Sequence, residues 1–254
     1  MSVSPPSALV SRLRAAGCVF AEDEARLLLA TARTPGELDA MAARRVAGLP
    51  LEHVLGWAEF CGLRVALEPG VFVPRRRTEF LVSQAAKLVA PGSVVVDLCC
   101  GSGALGAALA ATVDGVEVHA ADIDPAAVRC ARRNLGRDRV YEGDLFDALP
   151  AGLRGRIDVL LANTPYVPTE SVGLMPPEAR EHEPRVALDG GADGLDVQRR
   201  VAADARRWLA PGGSVLVEVS DGQAAHSVAV FAGHGLEPRV VRHEEATVVI
   251  ATRG

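Results

Sequence analysis

The chain has 254 residues, 49% of them hydrophobic, and a formal net charge of −5. That length supports one sizeable domain with a small appendage and a core that needs no staples, and the acidic balance argues against broad electrostatic binding to nucleic-acid phosphates. The five cysteines form no C-x-x-C pair and the six histidines are scattered, so the pattern argues against a metal site or a disulfide framework.

From Pro6 to about Gly48, apolar residues recur at helical spacing (Leu9, Leu13, then Leu27 to Leu29, then Leu38, Met41, Val46), with a break at Thr34-Pro35-Gly36. This predicts a helical N-terminal domain over residues 1–50. Two β-like runs, His53 to Phe60 and Leu63 to Leu67, with Gly56, Gly62 and Gly70, predict a hairpin linker over 51–73. A second domain, 74–254, then alternates apolar runs with helical segments. Runs cover Val94 to Leu98, Val116 to Ala121 and Ile157 to Ala162, with helices from about Ser102 and from Pro125. A helix around Leu195 to Leu209 is expected to stop at Pro211-Gly212-Gly213, followed by a strand from Ser214 to Val219. Pro238 to Thr252 reads as two strands around Glu244-Glu245. The alternation implies a mostly parallel sheet flanked by helices, closed by an antiparallel C-terminal hairpin. Neither a leader peptide nor a run of membrane-spanning length is visible, and thiols without partners suit a reducing compartment, so the expected location is cytoplasmic.

The first strand of the large domain ends in Asp97 and runs through Leu98-Cys99-Cys100-Gly101-Ser102-Gly103 into a helix, which makes a nucleotide-binding loop at a helix N-terminus. Gly101 to Gly106 satisfies G-x-G-x-x-G, and Asp122 follows at about 20 residues, so a dinucleotide is one reading. Asp97 favours another. A carboxylate at that strand end would repel a pyrophosphate but suits the ammonium of S-adenosylmethionine. Asp122 can accept from ribose hydroxyls under either reading, and Asp144, followed by Leu145, is placed to accept from an adenine amino group.

The run Ile157 to Ala162 leads directly into Asn163-Thr164-Pro165-Tyr166, a short polar loop expected beside the nucleotide at the carboxyl edge of the sheet. An amide nitrogen is a poor nucleophile because its lone pair is delocalised. The Asn163 side-chain oxygen and the Thr164 carbonyl can each accept one N–H, aiming the nitrogen at a methyl donor. Pro165 biases Thr164 toward extended backbone, and Tyr166 can stack on a planar target.

Together these stretches resemble the HemK-type protein-(glutamine-N5) methyltransferases. The resemblance runs through Gly48 to Leu51, Leu55 to Phe60, Val73-Pro74-Arg75 with Thr78-Glu79, and the Asp97 to Gly103 loop. It continues through Ala121 to Asp124, Asn163 to Tyr166, Glu183-Pro184 with Ala187-Leu188, Asp193-Gly194-Leu195, and Glu218 with Gln223. It implies a Rossmann-like class I methyltransferase α/β sheet behind a helical domain, with S-adenosyl-L-methionine as cofactor and a glutamine-bearing protein such as a peptide-chain release factor as partner. By the resemblance, Asn163 to Tyr166 hold the glutamine, while the Cys99 to Gly103 loop, Asp122 and Asn163 contact the cofactor.

The chain departs from the family pattern at Thr164, where Asn-Pro-Pro-Tyr has become Asn163-Thr164-Pro165-Tyr166, and at Cys99-Cys100 in the glycine-rich loop. The Pro-Arg-Pro-Glu-Thr-Glu segment has become Pro74-Arg75-Arg76-Arg77-Thr78-Glu79. Its arginines are expected either to meet an acidic partner or to form a solvated charged loop. The alternatives are a nucleic-acid amino-group methyltransferase, in which a flipped base stacks on Tyr166, a small-molecule N-methyltransferase, and a cofactor-binding module without catalysis.

Overall fold

The computed structural model describes residues 7–254; the part of the expected helical domain on residues 1–6 lies outside them. Helices α1 (Ser7–Ala15), α2 (Ala21–Thr31), α3 (Pro35–Val46) and α4 (Leu51–Leu55) share a core built on Leu13, Leu28 and Met41. Thr34 caps α3 by accepting from the Glu37 N–H at 3.1 Å, with Pro35 in the first turn. Arg45, buried in α3, pairs with Glu24 of α2 at 2.7 Å and reaches Glu178 at 2.6 Å.

The expected strand His53 to Phe60 is corrected in its first half. Leu51–Leu55 is helical, burying the consecutive residues His53, Val54 and Leu55 rather than alternate ones, and Gly56 at φ +79° ends the turn. Extended backbone begins only with β1 (Trp57–Phe60), which pairs antiparallel with β2 (Leu63–Ala66).

The remaining elements are α5 (Glu79–Ala85), β3 (Val94–Leu98), α6 (Ala104–Thr112), β4 (Glu117–Asp122), α7 (Pro125–Leu135), β5 (Val140–Glu142), β6 (Ile157–Ala162), α8 (Pro177–His182), α9 (Asp196–Trp208), β7 (Leu209–Val219), α10 (Ala224–Gly233), β8 (Glu237–His243) and β9 (Ala246–Thr252). The sequence reading had named no helix over α5, α8 or α10. The large sheet runs β5-β4-β3-β6-β7-β9-β8, parallel except where β9 pairs with β7 and β8. Its interior strand β3 is buried throughout, as expected of a parallel strand covered on both faces. One face packs on α5 and α6 through Leu81, Leu105 and Leu109; the other packs on α9 and α10 through Val201, Trp208 and Phe231. No helix among the described residues is long and apolar enough to cross a membrane.

A second correction concerns Pro211-Gly212-Gly213, expected to separate helix from strand. The helix ends at Trp208, and the Pro-Gly-Gly lies inside β7, whose pairing with β6 jumps from Ile157↔Leu209 to Val159↔Ser214. A Cβ on Gly213 would sit 2.5 Å from the Ile157 carbonyl oxygen, so glycine permits this bulged close approach.

Candidate active site

Because β4, β3 and β6 are adjacent and parallel, their carboxyl ends meet at one edge of the sheet, where ligands bind in open α/β sheets. The loop after β3, the end of β4 and the loop after β6 border a single cleft, also lined by Asp144, Leu145 and Arg200. Of the residues singled out by sequence, Cys99, Cys100, Gly101, Ser102, Asp122, Asp144, Leu145 and Asn163 through Tyr166 line it.

Asp122 accepts from the Gly101 N–H at 2.8 Å through Oδ2 and from the Asp124 N–H at 2.9 Å through Oδ1, which fixes the carboxylate while each oxygen keeps a lone pair for a ligand. Burial raises its pKa and these N–H groups oppose the rise. At Gly101, φ is +55° and a Cβ would meet nothing within 4 Å, so the backbone faces open cleft. Cys99 also sits at positive φ, +55°, where an L side chain is strained, and burial pushes its thiol pKa upward.

Two of the residues expected at the cofactor, Asp97 and Gly103, do not line the cleft. Asp97 is 1% exposed and does not line the cleft; its Oδ2 turns under the loop to accept from the Gly106 N–H at 3.0 Å. Burial raises its pKa to about 8, with the Gly106 N–H opposing and the charge of Asp122 adding. Through Oδ2, Asp97 thus ties the loop to the first turn of α6. Gly103, at φ +75°, faces α7, where a Cβ would lie 2.9 Å from Leu135 Cδ1 and 3.2 Å from Ala131 Cβ. It permits helix packing rather than ligand approach. Asp144 is paired through Oδ2 with Arg200 at 2.6 Å, a cleft residue that sequence did not single out.

In the loop after β6, the Asn163 side chain makes no hydrogen bond among the described residues, and its Oδ1 is sealed from solvent without a partner. Thr164 Oγ1, in a residue 1% exposed, is likewise unpartnered. Buried polar groups are nearly always satisfied, so orphans lining a cleft mark where a ligand supplies the bond. The Tyr166 hydroxyl donates to Glu218 Oε1 at 3.0 Å and accepts from Arg77, and burial pushes its pKa up to about 12. The loop backbone is backed by residues 189–195. Gly190 N–H donates to the Val167 carbonyl at 2.8 Å, and Gln223 Nε2 donates to the carbonyls of Tyr166 and Asp193, both at 2.9 Å. A Cβ on Gly190 would stand 2.6 Å from the Pro165 carbonyl oxygen, and one on Gly194 would collide with that of Tyr166.

The arginines of the 75–77 segment are neither a plain solvated loop nor free for a partner throughout. Arg75 pairs with Glu183, whose side chain is 1% exposed, at 2.6 Å, and Arg77 Nε donates to Glu218 at 3.0 Å. Arg76 and Arg77 are both exposed, and of the three only Arg76 makes no ion pair among the described residues. Sequence reasoning also missed Phe72, Ile123, Met175 and Val186, which line the cleft. Ile123 is 50% exposed beside Asp122, and an apolar residue so placed next to a ribose-site acid was a signal in plain view.

Residues 62–175 match the family model of the methyltransferase small domain. The chain is 39% identical over 208 residues to the release factor glutamine methyltransferase of Geobacter sulfurreducens, covering 79% of this chain and 72% of that one. It is 38% identical over 240 residues, covering 85% and 81%, to the 4-amino-L-phenylalanine/4-methylamino-L-phenylalanine methyltransferase of Streptomyces pristinaespiralis. A methyltransferase structure from Pyrococcus furiosus superposes with a TM-score of 0.58 at 18% identity, covering 85% of this chain and 98% of that one, a likeness of fold.

Proposed function

The chain belongs to the release factor glutamine methyltransferase family, and we propose that it transfers a methyl group to the side-chain amide nitrogen of a glutamine in a peptide-chain release factor, in the cytoplasm. S-adenosylmethionine, when bound, supplies an electrophilic methyl group on a sulfonium. The residues present fit that cofactor: Asp122 offers fixed carboxylate oxygens for a ribose, Gly101 leaves room for close approach, and Ile123 and Leu145 offer apolar surface for a flat base.

The observation that carries the reading is the orphaned Asn163 Oδ1 at the head of the loop. It accepts one N–H of the target amide, and the Thr164 carbonyl, which accepts no hydrogen bond among the described residues, takes the other. The nitrogen is thereby oriented, and charge developing on it meets preorganised acceptors rather than mobile water. Tyr166, braced by Glu218, bounds the acceptor side. No general base is needed before transfer, because the proton leaves after the nitrogen becomes cationic.

The test is peptide mapping by mass spectrometry of the organism's release factors after incubation with this protein and S-adenosylmethionine, with Asn163→Ala as control. A single methyl on the Gly-Gly-Gln glutamine, lost in the control, is expected; unmodified release factors would overturn the substrate. A second reading, methylation of an amine on a free aromatic amino acid, is favoured by the likeness to the Streptomyces pristinaespiralis enzyme together with an arginine beside Tyr166. The same assay with 4-amino-L-phenylalanine separates the two.

A further inference from the structure

Arg77 stands on the acceptor side of the cleft, in the turn Arg76–Thr78 ahead of α5. One edge of its planar guanidinium is used inward: Nε donates to Glu218 Oε1 at 3.0 Å and Nη2 donates to the Tyr166 hydroxyl. The opposite edge, Nη1 with the second Nη2 proton, has no partner among the described residues. The side chain lines the cleft and stays 46% exposed, whereas Glu218, which anchors it, is 3% exposed. Burial works against its charge, and the contacts with Tyr166 and Glu218 more than offset it, raising the Arg77 pKa. Phe72, Pro165, Met175 and Val186 give the same cleft apolar walls, and Glu218 occupies only the inward edge of the guanidinium. A fixed guanidinium edge against apolar walls is a two-point receptor for a carboxylate.

We propose that Arg77 is a specificity-determining residue that binds a carboxylate of the methyl acceptor. This rests on the methyltransferase reading above. The same chemistry has two sources: an acidic side chain close to the target glutamine in a protein, or the free α-carboxylate of an amino-acid acceptor. Thr78 Oγ1, 1% exposed, unpartnered and lining the same cleft, is a further hydroxyl within the pocket.

The experiment compares two acceptor pairs on the full chain with S-adenosylmethionine. One pair is Gly-Gly-Gln peptides carrying Asp or Asn at the flanking positions; the other is 4-amino-L-phenylalanine and its carboxamide. Calorimetric binding and steady-state methyl transfer are measured for the wild type, Arg77→Gln and Arg77→Lys, with thermal unfolding to verify that each variant is folded. In one pair the carboxylate form should be preferred by about 10-fold or more, expressed in Kd and KM rather than kcat. The preference should fall to about 2-fold or less in Arg77→Gln and survive in part in Arg77→Lys, which keeps a point charge without the fork. The pair that responds identifies the source. Equal affinity within both pairs, or a preference that survives Arg77→Gln, overturns the proposal; methyl transfer persisting in that case would leave the methyltransferase reading intact. Carboxylate-dependent binding lost in Arg77→Gln, with no transfer to any acceptor, would keep the role of Arg77 and remove that reading.

Discussion

Asn163→Ala should separate catalysis from stability. The Asn163 side chain makes no hydrogen bond among the described residues, and its sealed Oδ1 is a cost to the ligand-free fold of about 1–3 kcal/mol. Truncation removes that cost along with the packing of three side-chain atoms, a loss of about 1 kcal/mol or more. The two nearly offset, so Tm should move by no more than about 2–4 °C in either direction. The transition state, in contrast, loses one of two preorganised acceptors, and kcat should drop about 10²- to 10³-fold. Differential scanning calorimetry of the ligand-free protein and a single-turnover methyl-transfer assay on the same preparations give both quantities. A Tm loss well beyond that range would make Asn163 a structural residue, and a kcat within about 10-fold of wild type would remove it as an acceptor.

Three further outcomes are expected. Asp97→Asn should change how stability depends on pH: a carboxyl whose pKa rises on folding from 3.8 to about 8 contributes stability that is full below the lower value and is lost as pH climbs through the higher. The variant keeps an oxygen for the Gly106 N–H, so its Tm should gain on wild type steadily across that window; a pH-independent difference would show that Asp97 does not titrate so. Thr164→Pro removes the unpartnered hydroxyl and restrains Asn163 toward extended backbone, and should keep or raise activity on the same acceptor; a loss of more than about 10-fold would show that the loop is arranged differently. Arg45→Ala strands the buried Glu24 and should cost about 3–5 kcal/mol by chemical denaturation, whereas Arg45→Met combined with Glu24→Leu should cost much less.

The parallel framework was legible because its strands carry their own signal. Val94 to Leu98 and Ile157 to Ala162 are mainly apolar runs, each carrying one aspartate, that emerge as β3 and β6 with the same bounds, and Asp124-Pro125 announces α7 through a side-chain cap. The stretches after those strands were legible as cleft-lining for the same reason: strand direction fixes where each loop emerges. Which way a side chain turns at a strand end was not. Asp97 and Asp122 both close a strand beside the loop, yet one turns beneath α6 and the other faces the cleft, a choice made by which N–H groups lie within reach. The stretch from His53 to Leu55 reads as the start of a strand until the positive φ of Gly56 and the tertiary cover are known. The partners of Arg75 and Arg77 lie 108 and 141 residues away, and charge pattern along the chain carries no information on pairing at such separation.

The backing of the Asn163–Tyr166 loop has a consequence for how this protein tolerates change. Its course is set in large part from behind, by the bare backbones of Gly190 and Gly194 and by the amide of Gln223. Shape and chemistry are thus encoded in separate stretches of the chain. A saturation scan should find positions 190 and 194 nearly immutable while the exposed position 77 accepts many residues. Repurposing the enzyme toward new acceptors is then a matter of redecorating the cleft at 77 while leaving a distant Asp-Gly-Gly-Ala-Asp-Gly cast untouched.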